Sequence, residues 1–262
     1  MGGNVNGLLD GKRCLIVGVA NKRSIAWAIA RRLDEAGATI ALTYQGERTE
    51  GDVRALAETL SRPAAAVLPL DVQDDDEMDA AVAGAADALG GIDVLVHAVA
   101  FARAEDLGGR FADTPRDGFE LALDVSAFSL AGLARRCEPH MTDGGSIVTL
   151  SYLAAERAVP GYNVMGVAKS ALESIVRLLA WDLGPQQIRV NALSAGPVRT
   201  LAARGIPGFS DMADKIAERT PMRRAISTDE VADAALYLCS PLSTAVTGET
   251  LHVDAGYHAM GL

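Results

Sequence analysis

RCLIVGVANKRSIAWAIARRLDEAG, Arg13–Gly37, changes its period halfway along. RCLIVGV is a short apolar run with Gly18 near its end, the pattern of a buried parallel strand; from Ser24 the apolar residues recur at helical spacing until Gly37. A strand, a turn and a helix are the opening unit of an α/β sheet. The same rhythm recurs in TIALTY then EGDVRALAETLS, and in AAVLPLD then DEMDAAVAGAADALG. IDVLVHAVA precedes a helix-like stretch around GFELALDVSAFSLAGLARRC, and SIVTLSY precedes a long helix from about Tyr162 to Leu183. IRVNALS follows, then a stretch from Pro197 to Arg224 without a clear period, the helix TDEVADAALYLCS and a last strand, ETLHVDA. The pattern predicts an α/β fold: one Rossmann-type doubly wound domain over residues 1–262, a seven-stranded parallel sheet with helices on both faces. No internal repeat or Pro/Ser-rich linker divides the chain. Ligands of such sheets bind beyond the carboxyl ends of the strands. Residues 197–224 follow a strand at that edge and are expected to form a lid.

Composition narrows the function. With 49% hydrophobic residues and 26 glycines, the 262-residue chain can bury a large core. A formal charge of −10 argues against a nucleic-acid or anionic-membrane surface, both of which need clustered Lys and Arg. The acidic cluster Asp74–Glu77 reads as a helix start, where carboxylates face the positive end of the dipole, rather than as a metal site. Cys14, Cys137 and Cys239 lie far apart without CxxC spacing, and the four histidines form no ligand cluster. MGGNVNGLLD lacks a signal peptide's cationic start and apolar middle, and no apolar run is long enough to span a membrane. The expectation is a reduced, metal-free, cytoplasmic protein.

Between the first strand and helix lies GVANKRSIA, Gly18–Ala26. A full GxGxxG fingerprint is absent, since only Gly18 is available. The loop still leads into a helix whose free N–H groups can meet a diphosphate, with Ser24 either touching it or simply capping the helix. Asp71, at the end of the third strand, can accept from an adenine amino group or form a local turn. After the second strand no acidic residue stands ready for a ribose; Gln45 can bond a hydroxyl there and Arg48 a 2′-phosphate. NADH is expected in preference to NADPH.

Tyr162 lies seven positions before Lys169, about 700° of helix and so within about 20° of two full turns, on one face. A nearby ammonium favours an ionised phenol, which suits chemistry at a carbonyl oxygen. Spacing alone favours the plainer reading, a packed tyrosine and a lysine stretched along the surface. SYLAAERAVPGYNVMGVAKSALE decides between these, together with GVANKRSIAWAIA, HAVAFA and RVNALSAGPVRTLAA. The combination closely resembles the enoyl-acyl-carrier-protein reductases, divergent members of the short-chain dehydrogenase/reductase superfamily, from LLDGKR to HVDAGYHAMG.

The resemblance implies that Tyr162 bonds a thioester carbonyl, that Lys169 holds the nicotinamide ribose, and that Tyr152 stands beside the acyl pocket. It implies cofactor contacts at Gly18, Ser24, Ile25, Gln45, Asp71, Val72, Ala98, Ala100, Lys169, Val198 and Thr200. It also implies reduction of a trans-2-enoyl thioester on acyl carrier protein, or on coenzyme A, by a homotetramer. Residues LAARGIPGFSDM would cover the acyl chain. Two departures stand out: Ala100 replaces the glycine of some relatives, and IPGFSDM lacks the basic residues that some relatives offer to an acidic carrier. Two other readings share the fold. One is a short-chain dehydrogenase acting on a hydroxyl or ketone, which places its tyrosine four before the lysine, where this chain has Met165. The other is a nucleotide-sensing protein without turnover.

Overall fold

The computed structural model describes residue 5, residues 7–198, residue 200 and residues 209–261. Seven strands, β1 Arg13–Val17, β2 Thr39–Tyr44, β3 Ala66–Pro69, β4 Val94–His97, β5 Gly145–Ser151, β6 Ile188–Ala195 and β7 Thr250–Val253, form one sheet. Their order is β3-β2-β1-β4-β5-β6-β7 and every neighbouring pair is parallel. The helices are α1 Ile25–Glu35, α2 Glu47–Ala57, α3 Asp75–Leu89, α4 Ala104–Leu107, α5 Arg116–Leu123, α6 Ser129–Cys137, α7 Asn163–Leu183, α8 Phe209–Arg219 and α9 Thr228–Cys239.

The central strands β1, β2 and β4 are buried along almost their whole length because both faces are covered, whereas the edge strands β3 and β7 are only partly buried. Successive residues alternate between the two layers: Cys14 and Ile16 join Trp27, Leu33 and Leu236 on one face, while Leu15 and Val17 join Met78, Leu130 and Val176 on the other. Strand order reverses between β1 and β4, the place at the carboxyl edge where sheets of this kind take a ligand into a crevice. In that pair Val17 lies opposite His97, which sets the two exit loops side by side.

Local chemistry fixes the element ends. The Asp74 side chain accepts from the N–H groups of Asp76 and Glu77 and caps α3, so the acidic cluster is a helix start as expected. Ser227 and Glu230 form a reciprocal capping box on α9.

Three expectations need correction. The stretch around GFELALDVSAFSLAGLARRC is not one regular helix: a π-helical turn, Asp124–Phe128, joins α5 to α6. An apolar period cannot reveal one inserted residue, because both flanking helices keep their faces inward. Pro197–Arg224 is not wholly irregular either, since α8 lies within it. Residues 201–208, the centre of the expected lid, fall outside the described residues. Finally, β3 ends at Pro69, so Asp71 stands beyond the strand rather than closing it.

Candidate active site

The β1–α1 loop begins at Gly18, with φ of 97°. A Cβ there would lie 2.3 Å from the Ala98 carbonyl oxygen, so glycine is required both by conformation and by close approach. The Ala98 N–H donates to the Val17 carbonyl at 3.0 Å, continuing the β1–β4 ladder into the loops. The Ala98 main chain, with the Val99 side chain beside it, therefore faces Gly18 at the point where strand order reverses. A dinucleotide diphosphate fits such a cradle at the α1 N-terminus. Ser24 is the N-cap of α1: its oxygen accepts from the Trp27 N–H at 3.2 Å and its hydroxyl donates to the Asn21 carbonyl at 2.8 Å. Its alternative role, helix capping, is the one observed. Ile25 follows as the first residue of α1.

On the other side of β1, Gln45 and Asp71 meet, Nε2 to Oδ2 at 3.4 Å. Asp71 also accepts from the Gln73 N–H at 3.0 Å, the local turn foreseen as its alternative, and Val72 is buried. Ala100 is exposed in the loop after β4. Val198, buried, and Thr200 follow β6, and the Thr200 N–H donates to the Val198 carbonyl at 2.8 Å. All of the candidate positions thus lie at the carboxyl edge. Gln45 and Asp71 touch each other, whereas Gly18 meets Ala98.

Tyr162 is placed by a turn that sequence reasoning overlooked. Val159-Pro160-Gly161-Tyr162 is closed by the Tyr162 N–H on the Val159 carbonyl at 3.2 Å, with proline second and Gly161 third at φ of 77°. The Pro-Gly pair was its signal. Tyr162 consequently caps α7, at φ −123° and ψ −1°, instead of lying within the helix as the two-turn arithmetic assumed. Its ring meets Tyr152 edge-on, centroids 4.9 Å apart. Met165 is buried with Leu107 and Ala168, and Tyr162 packs against this small cluster.

Lys169 is buried on α7, and its ammonium donates to the Leu150 carbonyl at 2.7 Å. Burial brings its pKa down to about 8, with Glu173 one turn further on opposing the drop. The expected depression of the Tyr162 phenol does not occur: burial, then the neighbouring Tyr152, push its pKa upward. Tyr152 is likewise pushed up to about 12 by burial, then by Tyr257. A neutral, donating hydroxyl is what these phenols offer.

Other buried polar groups were not anticipated. Ser151 donates to Glu173 at 2.5 Å, tying the end of β5 to α7. His97 has Thr149 Oγ1 at 2.8 Å from Nδ1 and Ser129 Oγ at 2.9 Å from Nε2. Burial, then the charge of Lys169, hold His97 down to about 3, so it is neutral. The loop between the two tyrosines is fastened to the far end of the chain. Glu156 meets His252 at 2.9 Å, and Arg157 donates to the carbonyls of His258 at 2.9 Å and Met260 at 3.2 Å. Single-letter patterns gave no sign of these pairs, because their partners are distant in sequence.

Tyr152 and Tyr162 offer neutral phenols, and Lys169 a buried ammonium, near the carboxyl end of β5. Comparison with known proteins gives the family. A family model described as Enoyl-(Acyl carrier protein) reductase matches residues 18–258. The chain belongs to the enoyl-acyl-carrier-protein reductase family. It is therefore an oxidoreductase acting on a carbon–carbon double bond with a reduced nicotinamide cofactor. The NADH enoyl-acyl-carrier-protein reductase of Bacillus cereus is 52% identical over 254 residues, 97% of this chain and 99% of that relative. The NADPH enzyme of Staphylococcus aureus (strain MRSA252) is 48% identical over 252 residues, 96% of this chain and 98% of that one. The crystal structure of the Bacillus cereus reductase with NADP+ and indole naphthyridinone superposes with a TM-score of 0.95, covering 97% of this chain and 99% of that one. These reductases share the parallel sheet and helical layers described above. Membership removes the hydroxyl dehydrogenase reading, in keeping with the buried Met165.

Proposed function

We propose that this reductase uses NADH to reduce the trans-2 double bond of an enoyl thioester carried on acyl carrier protein. The observation that carries the proposal is Tyr162, a neutral phenol held at the N-terminus of α7 against Tyr152, with Lys169 buried further along the same helix. NADH, when bound, supplies hydride to the β-carbon. Tyr162 donates its hydroxyl to the thioester carbonyl and stabilises the enolate as charge gathers on that oxygen. The α-carbon then takes a proton from water as the enolate returns to the thioester, with Tyr152 beside the acyl chain. Lys169, Gly18, Ser24, Ile25, Gln45, Asp71, Val72, Ala98, Ala100, Val198 and Thr200 hold the cofactor. The Ser24 contribution comes through the helix end that it caps. Gln45 favours a ribose hydroxyl; Arg48, exposed nearby, is the group that would admit NADPH as the poorer donor.

Residues 197–224 act as the lid of a single domain, and coenzyme A thioesters serve as an alternative donor. The working form is a homotetramer in the cytoplasm. Leu178 and Trp181, 63% and 83% exposed on α7, support this as apolar surface at helical spacing. The three cysteines are unpaired and buried. Among the described residues no helix is long and apolar enough to cross a membrane.

The deciding assay follows loss of reduced nicotinamide absorbance with a medium-chain trans-2-enoyl thioester on each carrier, with NADH and with NADPH. Consumption only when the enoyl substrate is present is the expected result. Cofactor binding without consumption on either carrier would leave a sensing protein instead.

A further inference from the structure

The loop that follows β4 is held at both ends by a single turn of helix. Ser126 and Ser129 are fully buried on the inner side of the π-helical turn and the residue after it. Ser126 Oγ accepts from the Phe101 N–H at 2.9 Å and donates to the Phe101 carbonyl at 3.1 Å. One hydroxyl thus satisfies both main-chain groups of one residue, using its single proton once. At the other end Ser129 gives its proton to the Val125 carbonyl at 2.6 Å, so it can only accept from His97. His97 must therefore carry its proton on Nε2 and accept the Thr149 hydroxyl at Nδ1. A π turn sacrifices regular helix bonding and persists where it re-aims a side chain. Here it aims Ser126 across to the strand exit.

We propose that the π-helical turn Asp124–Phe128 is a clamp that fixes residues 97–101, with Ser126 the positioning residue for the nicotinamide end of the cofactor. The inference rests on the reading that Ala98 and Ala100 wall the nicotinamide. Between the two gripped ends, those residues have little freedom. The Gly18 side of the crevice approaches Ala98 so closely that any drift of this segment would also disturb the diphosphate loop.

The test compares Ser126→Ala and Ser126→Thr with wild type, at a temperature where thermal unfolding shows all three folded. Two quantities are read: hydrogen exchange of the Phe101 amide in the cofactor-free protein, and the NADH dissociation constant from nicotinamide fluorescence. In Ser126→Ala the Phe101 amide is expected to exchange faster and NADH to bind on the order of tenfold more weakly, the scale of a buried donor left unpaired. KM for NADH should rise with kcat changed less, and Ser126→Thr, which keeps the hydroxyl, should restore both readouts. Faster exchange with an unchanged dissociation constant would overturn the clamp, as would no change in either. An Ala100→Leu variant separates the two levels. If it blocks NADH while Ser126→Ala does not, the clamp alone fails; if it binds NADH as wild type does, the placement of the nicotinamide fails.

Discussion

Tyr162 and Lys169 differ in what their surroundings do to them. Burial keeps the phenol protonated, so its contribution is a hydrogen bond to the developing oxyanion; Tyr162→Phe should lower kcat by about 10²–10³ and leave the NADH dissociation constant unchanged. Stopped-flow rates with an equilibrium titration would check both halves. Lys169, brought down to about 8, loses its charge just above neutrality. kcat/KM for NADH reports the free enzyme, and it should therefore fall as pH rises through about 8. Glu173 raises the lysine pKa, so Glu173→Gln should move that limb to lower pH. Glu156, His252 and Arg177 also face Glu173, and they must be unaltered for the comparison to be read simply. The identities of this pair were legible in the motif SYLAAERAVPGYNVMGVAKSALE and its resemblance to a family, whereas their spacing alone fitted a packed tyrosine and a surface lysine as well. The direction of the Tyr162 shift was not, because it depends on how much protein closes over the ring, which only the packed tertiary structure decides.

At the scale of elements, the β1–α1 turn concentrates the most constraint. Gly18→Ala places a methyl group against the Ala98 carbonyl in a backbone region that disfavours side chains. A stability loss of about 1–3 kcal/mol is expected, with NADH affinity falling in parallel, measured by denaturant unfolding and fluorescence titration. Ser227→Ala, which dismantles the α9 capping box far from the crevice, should cost about 1 kcal/mol and leave NADH binding intact. The strands were legible because a doubly covered parallel sheet favours short, β-branched apolar runs such as CLIV and VLV between longer helical periods. The π turn escaped notice since its residues Val125, Ser126 and Ala127 are buried like those of its neighbours. α8 escaped for a different reason: it follows a stretch rich in glycine and small residues that carries no apolar period.

Over the whole molecule, the sheet brings residues from β1, β2, β3, β4, β5 and β6 to one edge, and the helical layers leave an apolar strip on α7 uncovered. If that strip is the contact between subunits, Leu178→Glu together with Trp181→Glu should shift the sedimentation coefficient from tetramer to a smaller species, and unaltered sedimentation would send the search for the contact elsewhere. The strip was invisible as a surface in the sequence, where Leu178 and Trp181 look like any other apolar residues of an amphipathic helix. The fastening of Glu156 and Arg157 to residues 252–260 has a temporal consequence. Ribosomes deliver a chain from its amino end, and domains fold as their parts emerge. The sheet around β1 can assemble while synthesis continues, yet the loop that carries both tyrosines lacks its anchor until residues 252–260 have left the exit tunnel. A nascent chain of this reductase is thus able to gather its nucleotide crevice before it can hold its tyrosines still, and competence for turnover arrives last.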